Sequence, residues 1–207
     1  MVRCALVRLV WAVAALTGAL LAHAQTAAHP GHPAPAFTLT DVAGHAVQLA
    51  DFRGRFVVLE WNNPSCPFVH KHYDSGNMQA LQKRFTASGV AWLTINSTAT
   101  AHPEFRKPAE LAAWMRHVGC APTAILLDPE GTVGRAYGAR VTPHMMVIDP
   151  KGILVYMGAI DDKRSSNPAD VKSAMNYVVA ALDDAQAGRV VGIGHTQAYG
   201  CSIKYAD

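Results

Sequence analysis

The feature that most restricts the fold is the run Phe56-Val57-Val58-Leu59-Glu60-Trp61, apolar but for one acid. A strand without a polar face must be buried on both sides, so its sheet needs covering layers above and below. Val90 to Ile95 repeats the pattern. Between the two runs, the stretch from Pro67 to Gly89 places Met78, Leu81 and Phe85 on one helical face, with the glycine as stop signal. Strand, helix and strand in this order predict a crossover between parallel strands. Pro108 to Gly119 predicts a second helix, with Leu111, Trp114, Met115 and Val118 at helical spacing. Ile125 to Leu127 reads as a further strand. Met145 to Ile148 and Ile153 to Met157 flank Asp149-Pro150-Lys151-Gly152, a tight turn between antiparallel strands. Phe37 to Leu39 and Val47 to Leu49 form a short hairpin, and Ala169 to Ala187 a last long helix. The expected class is α/β, a mixed central sheet with helices on both faces.

Composition narrows the function. Of 207 residues, 50% are hydrophobic and 16% charged, too apolar for a disordered chain. The formal charge is +3, and no basic run extends beyond Lys163-Arg164, so nucleic acid is a poor partner. Arg3 and Arg8 precede an apolar stretch from Leu9 to Leu21, followed by Ala22-His23-Ala24. This is the order of a secretory signal peptide, shorter than the roughly 20 residues of a spanning helix. The expected boundaries are 1–24 signal peptide, 25–36 extended leader, 37–187 folded domain and 188–207 a loosely packed tail. The expected location is periplasmic or secreted, with membrane contact only through an uncleaved signal segment. Removing the signal lowers the charge to +1 and leaves three cysteines, Cys66, Cys120 and Cys201. In an oxidising compartment an odd count leaves one thiol free or joined to another molecule.

Cys66 follows the buried strand and the breaker cluster Asn62-Asn63-Pro64-Ser65, and Pro67 after it suits the first position of a helix. Unpaired N–H groups and a partial positive charge at that helix end favour thiolate over thiol. An exposed, ionised sulfur is therefore expected. Thr142-Pro143 stands before the Met145 strand, an X-Pro bond open to the cis form. His70, four residues after Cys66, is expected on the same helix face, though Val69-His70-Lys71-His72-Tyr73 also reads as a solvated stretch. His29 and His32 are weak metal ligands, and no Cys/His spacing fits a structural zinc site. Neither a metal nor an organic cofactor is expected.

The chain resembles the thioredoxin-like superfamily, in particular the exported redoxins of the alkyl hydroperoxide reductase/thiol-specific antioxidant (AhpC/TSA) type. The likeness rests on Phe37-Thr38-Leu39, Phe56 to Trp61, Asn63 to Phe68, Asp128 to Gly131, Ala136-Tyr137-Gly138 and Thr142-Pro143-His144. It implies that Cys66 is the nucleophilic first cysteine and that Thr142-Pro143 is the cis-proline loop whose backbone binds a partner peptide, with Pro67 beside it. Glu60 would be the buried acid that moves protons for the second cysteine, burial opposing its charge. Two positions depart from the pattern. Val69 stands where the second cysteine would fall. The peroxidase pattern Pro-x-x-x-Thr-x-x-Cys meets Leu59 and Asn63 instead.

A resolving thiol, if the chain carries one, would then be Cys201 or Cys120; with neither, an external thiol releases the mixed disulfide. The glycine-bearing tail favours Cys201, whose bridge to Cys66 would close a loop of about 135 residues, worth on the order of 5 kcal/mol in the chain-entropy model. The expected activity is thiol–disulfide exchange with protein thiols or disulfides. The alternatives are a thiol peroxidase acting on peroxide, and a non-catalytic module binding a peptide, or copper through Cys66, His70 and Cys201.

Overall fold

The computed structural model describes residues 27–206; the signal-peptide reading of residues 1–24 lies outside them. Nine strands and five α-helices follow in the order β1 (Thr38–Asp41), β2 (Ala46–Gln48), β3 (Val57–Trp61), α1 (Pro67–Asp74), α2 (Asn77–Ala87), β4 (Ala91–Asn96), α3 (Pro108–His117), β5 (Ala124–Leu127), α4 (Thr132–Ala136), β6 (Val141–Thr142), β7 (His144–Ile148), β8 (Leu154–Gly158), α5 (Tyr177–Gln186) and β9 (Cys201–Ser202). Seven strands form one sheet in the order β2-β1-β5-β4-β3-β7-β8; β6 and β9 form a separate pair. β3, β4 and β5 run parallel to one another, and β1 joins β5 antiparallel. β7 joins β3 antiparallel, and β8 joins β7 likewise. The sheet is mixed, as the crossovers and the late hairpin predict.

Every residue of β3 and of β4 is buried. Strand alternation sends Val57, Leu59 and Trp61 into one hydrophobic cluster, with Leu93, Ile95, Met146 and Val133 of α4. Val58 faces the other cluster, with Val69, Tyr73, Phe85, Trp92, Val178 and Leu182. α1, α2 and α5 thus cover one face, and α4 with the segment before β1 covers the other.

Three expectations need correction. The helix predicted from Pro67 to Gly89 is two helices, because Gly76 takes a left-handed φ of 74° and starts α2 afresh. The last helix starts at Tyr177. Asn176 Oδ1 accepts from Val179 N at 3.0 Å and caps it there, while Pro168–Ser173 is a separate 3-10 turn. The described part of the extended leader is held on the fold: Gly31 N donates to Leu154 O at 2.7 Å, and Leu154 N donates to His32 O at 2.9 Å. The tail, by contrast with its expected loose packing, is also held. Thr196 N donates to Met157 O, Ile203 N to Arg140 O and Ala99 N to Lys204 O, all within 3.1 Å.

Candidate functional site

The loop after β3 is fixed before it reaches the sulfur. Asn62 N donates to Ile95 O at 2.9 Å, and Asn96 Nδ2 donates to Asn62 O at 3.0 Å. Asn63 Oδ1 accepts from Ser65 N at 2.8 Å, and Cys66 N donates to Asn63 O at 3.0 Å. This turn sets Cys66 at the N-cap of α1, with Pro67 in the first turn. A proline there forfeits no helical hydrogen bond, since the first N–H groups have no partner within the helix.

Thr142-Pro143 is cis and faces Cys66. Cys66 Sγ lies 3.1 Å from Thr142 O and 2.7 Å from Cys201 Sγ, and both residues are free thiols. The structure thus brings Cys66, Thr142, Pro143 and Cys201 together. Cys201 arrives on β9, which pairs antiparallel with β6 in the register Thr142↔Cys201 and Val141↔Ser202. The approach is close: a Cβ on Gly200 would stand 1.9 Å from Thr142 O, so only glycine fits there.

One expectation fails at this point. Cys66 is only 1% exposed, because the tail closes over it. The sulfur is still at the proline loop, as expected. Burial first, then the neighbouring Cys66, pushes the Cys201 thiol up to about 12. Cys120 lies elsewhere, and burial followed by the charge of Glu60 pushes it up to about 12.

Glu60 is fully buried. Its carboxylate accepts from Tyr73 Oη at 2.7 Å, Trp92 Nε1 at 2.8 Å, Asn62 Nδ2 at 3.1 Å, and Gln82 Nε2 and Thr94 Oγ1 at 3.3 Å. None of these donors is a cysteine. His70 does not turn to the sulfur either: its Nε2 lies 2.9 Å from Pro64 O and its Nδ1 3.3 Å from Asp74 Oδ1. Among the described residues, no group of three or more His, Cys, Asp or Glu is placed to hold a metal.

Sequence reasoning missed a second polar cluster on α1. Lys71 and His72, read as part of a solvated stretch, are fully buried. Lys71 Nζ lies 3.1 Å and 3.0 Å from the two carboxylate oxygens of Asp161. It also donates to Lys163 O at 2.6 Å and to Tyr199 Oη at 3.0 Å. Tyr199 in turn donates to Asp161 Oδ1, and its ring meets Phe68 edge-on at 5.9 Å. All three ammonium hydrogens have acceptors, as a buried cation requires. The partners lie 90 and 128 residues away, and no local pattern announces them.

A mixed sheet with a cysteine at the first helix and a cis-proline facing it defines a thioredoxin-like fold of the redoxin type. The chain belongs to the AhpC/TSA family, whose model matches residues 30–157. A Mycobacterium tuberculosis protein named "Putative peroxiredoxin" is 30% identical over 142 residues, 64% of this chain and 78% of that protein. Among solved structures, a hypothetical protein of Sinorhizobium meliloti is similar with TM-score 0.72 and 28% identity, over 87% of this chain and 97% of that one. An uncharacterised conserved protein of Geobacillus kaustophilus gives TM-score 0.73 and 29% identity, over 86% and 93%.

Proposed function

We propose that the protein is an extracytoplasmic thiol–disulfide oxidoreductase in which Cys66 is the nucleophile and Cys201 the resolving thiol. The observation that carries this reading is Cys66 Sγ lying 2.7 Å from Cys201 Sγ and 3.1 Å from the proline-loop carbonyl. The Cys66 thiolate attacks one sulfur of a disulfide R–S–S–R′, forming Cys66–S–S–R and expelling R′S⁻. Cys201 then gives up its proton and attacks Cys66 Sγ, forming the Cys66–Cys201 disulfide and expelling RS⁻. The two electrons come from the two thiols, and an external dithiol restores them.

The push of Cys66 on Cys201 belongs to the reduced pair. Once Cys66 is held in a mixed disulfide, its charge is gone and Cys201 ionises more readily. Thr142 and Pro143 hold the incoming sulfur's backbone in this reading, with Pro67 setting the helix end. Glu60 is a positioning residue: through Asn62 and Tyr73 it ties the loop and α1 to the sheet. The export signal at 1–24 supports an oxidising location.

The test is treatment of the reduced protein with oxidised glutathione, followed by mass spectrometry of non-reduced peptides. The expected product joins Cys66 to Cys201 and is lost in Cys66→Ser. Turnover that survives Cys66→Ser overturns the assignment.

The relative named "Putative peroxiredoxin" favours a second reading, a thiol peroxidase in which peroxide oxidises Cys66 to a sulfenic acid that Cys201 condenses with, releasing water. Against it, Asn63 stands where the peroxide-positioning Thr would be, and its Nδ2 donates to Glu104 Oε2 at 2.6 Å. Cys66 oxidation by hydrogen peroxide no faster than that of free cysteine removes this reading.

A further inference from the structure

We infer that the segment Tyr199–Tyr205 is a built-in substitute for an external peptide. Docked on β6, it positions Cys201 and shields Cys66, and the Lys71–Asp161–Tyr199 cluster sets how firmly it docks. The inference rests on the thiol-pair reading above and goes beyond it, because it says when Cys66 is open and which residues decide.

Three observations carry it. First, β9 takes up the backbone edge of β6 beside the cis-proline. A peptide pairing antiparallel at Thr142 and the tail cannot occupy that edge together. Second, Cys66 is closed while Cys201 remains partly exposed, so the docked state suits resolution and not attack on a bulky partner. Third, the anchor lies two residues before Cys201. Tyr199 is 6% exposed, Lys71 0% and Asp161 2%, and their hydrogen bonds join α1, the segment after β8 and the tail in one closed network. A buried ion pair contributes little net stability against an apolar replacement, and fixing one register is its best-attested use. Here it fixes where the tail lies. Tyr199 is thus a positioning residue for the resolving thiol.

Such a latch has a signature that a general structural role lacks. Loosening it must help the first step and harm the second. Tyr199→Phe removes the hydroxyl from both Lys71 and Asp161 and keeps the ring on Phe68. Gly200→Ala keeps the Lys71–Asp161–Tyr199 hydrogen bonds and loosens the docked segment directly, by putting a Cβ against the Thr142 carbonyl. Two quantities are read on the full chain, wild type and both variants. One is the rate at which a maleimide carrying a 5-kDa polyethylene glycol labels Cys66 in the reduced protein, followed by peptide mass spectrometry. The other is the equilibrium constant for two thiols plus oxidised glutathione giving the Cys66–Cys201 disulfide plus two reduced glutathiones.

In each variant the first is expected to rise, and the second to fall, by on the order of tenfold, the scale of one hydrogen bond to a charged group. Unchanged values, or both moving in the same direction, overturn the inference while leaving the thiol pair standing. A wild-type chain in which glutathione joins no Cys66 to Cys201 overturns the pair and, with it, the latch.

Discussion

Two buried acids sit on the side of the sheet that α1 covers, each with a thiol in its neighbourhood, and they are built differently. Glu60 accepts five hydrogen bonds, all from neutral groups of the loop after β3, β4, α1 and α2. Cys120 is its thiol. Asp161 is held by a cation and a phenol, Lys71 of α1 and Tyr199 of the tail, and Cys201 follows Tyr199 by two residues. The first network binds parts of the fold that the hydrophobic core already holds together. The second binds a terminal segment that has less core of its own. A carboxylate surrounded by neutral donors suits a fixed scaffold. An ion pair, worth much only when its geometry is complete, suits a segment that must find one place.

The largest expected effect separates these two designs. Lys71→Met leaves Asp161 buried without its cation, and breaking a buried pair costs about 3–5 kcal/mol. Glu60→Gln keeps an acceptor oxygen and approximate shape, and leaves part of a hydrogen-bonded shell unsatisfied, at about 1–3 kcal/mol. Urea unfolding of both variants ranks them. If Glu60→Gln is the more damaging, the scaffold and not the tail contact carries the greater electrostatic load, and the comparison is inverted.

A second effect follows from histidines, of which the Glu60 network has none. His72 stands beside Asp161, with Nε2 3.9 Å from Oδ2, and Asn77 Nδ2 donates to its Nδ1 at 2.9 Å. Burial holds it down to about 4; the Asp161 charge opposes this and the Lys71 charge adds to it. Burial also holds His144 down to about 4, with His195 and Arg140 adding to the effect. Both are therefore neutral in the folded protein, whereas the unfolded chain takes up protons near the ordinary value of about 6.5. Their contribution is fully present above about pH 6.5 and is lost as pH falls toward 4, by up to about 3 kcal/mol each. The urea midpoint should drop across that window, and His72→Gln should flatten the drop. An unaltered slope in His72→Gln would show that His72 titrates as a solvated group and that the Asp161 side is open to water.

The sequence was readable where chemistry and backbone are local. Two doubly buried strands, a breaker loop and a proline after Cys66 determine β3, β4 and the start of α1. Gly89 and Gly119 mark true chain turns, with φ of 87° and 70°. The cis-proline loop was also visible as Thr142-Pro143. What could not be read depends on partners distant in the chain. Lys71 and His72 look like surface residues until Asp161 covers them. The tail has glycines and no periodicity because it follows other elements instead of forming a face of its own. The exposure of Cys66 was misjudged for the same reason: the covering residue is 135 positions away. Gly76 and Asn176, by contrast, are local signals masked by the apolar stripe on either side, which suggests continuous helices.

The smallest expected effect concerns the two thiols themselves. Cys120 is half-buried among apolar groups beside Tyr73 and Glu60, and it lies in the scaffold network. Cys120→Ala removes one polarisable atom from that packing and should cost about 1 kcal/mol. The yield of the Cys66–Cys201 disulfide should not change. Cys201→Ala should abolish that disulfide at a similar cost in stability, since its sulfur packs at the edge of the same cluster. Equal stability losses with opposite redox outcomes would show that what distinguishes the two sulfurs is the segment that carries each. A Cys120→Ala protein unable to form the bridge would mean that Cys120 itself takes part in the exchange through an intermediate disulfide, and the division between scaffold and latch would fail.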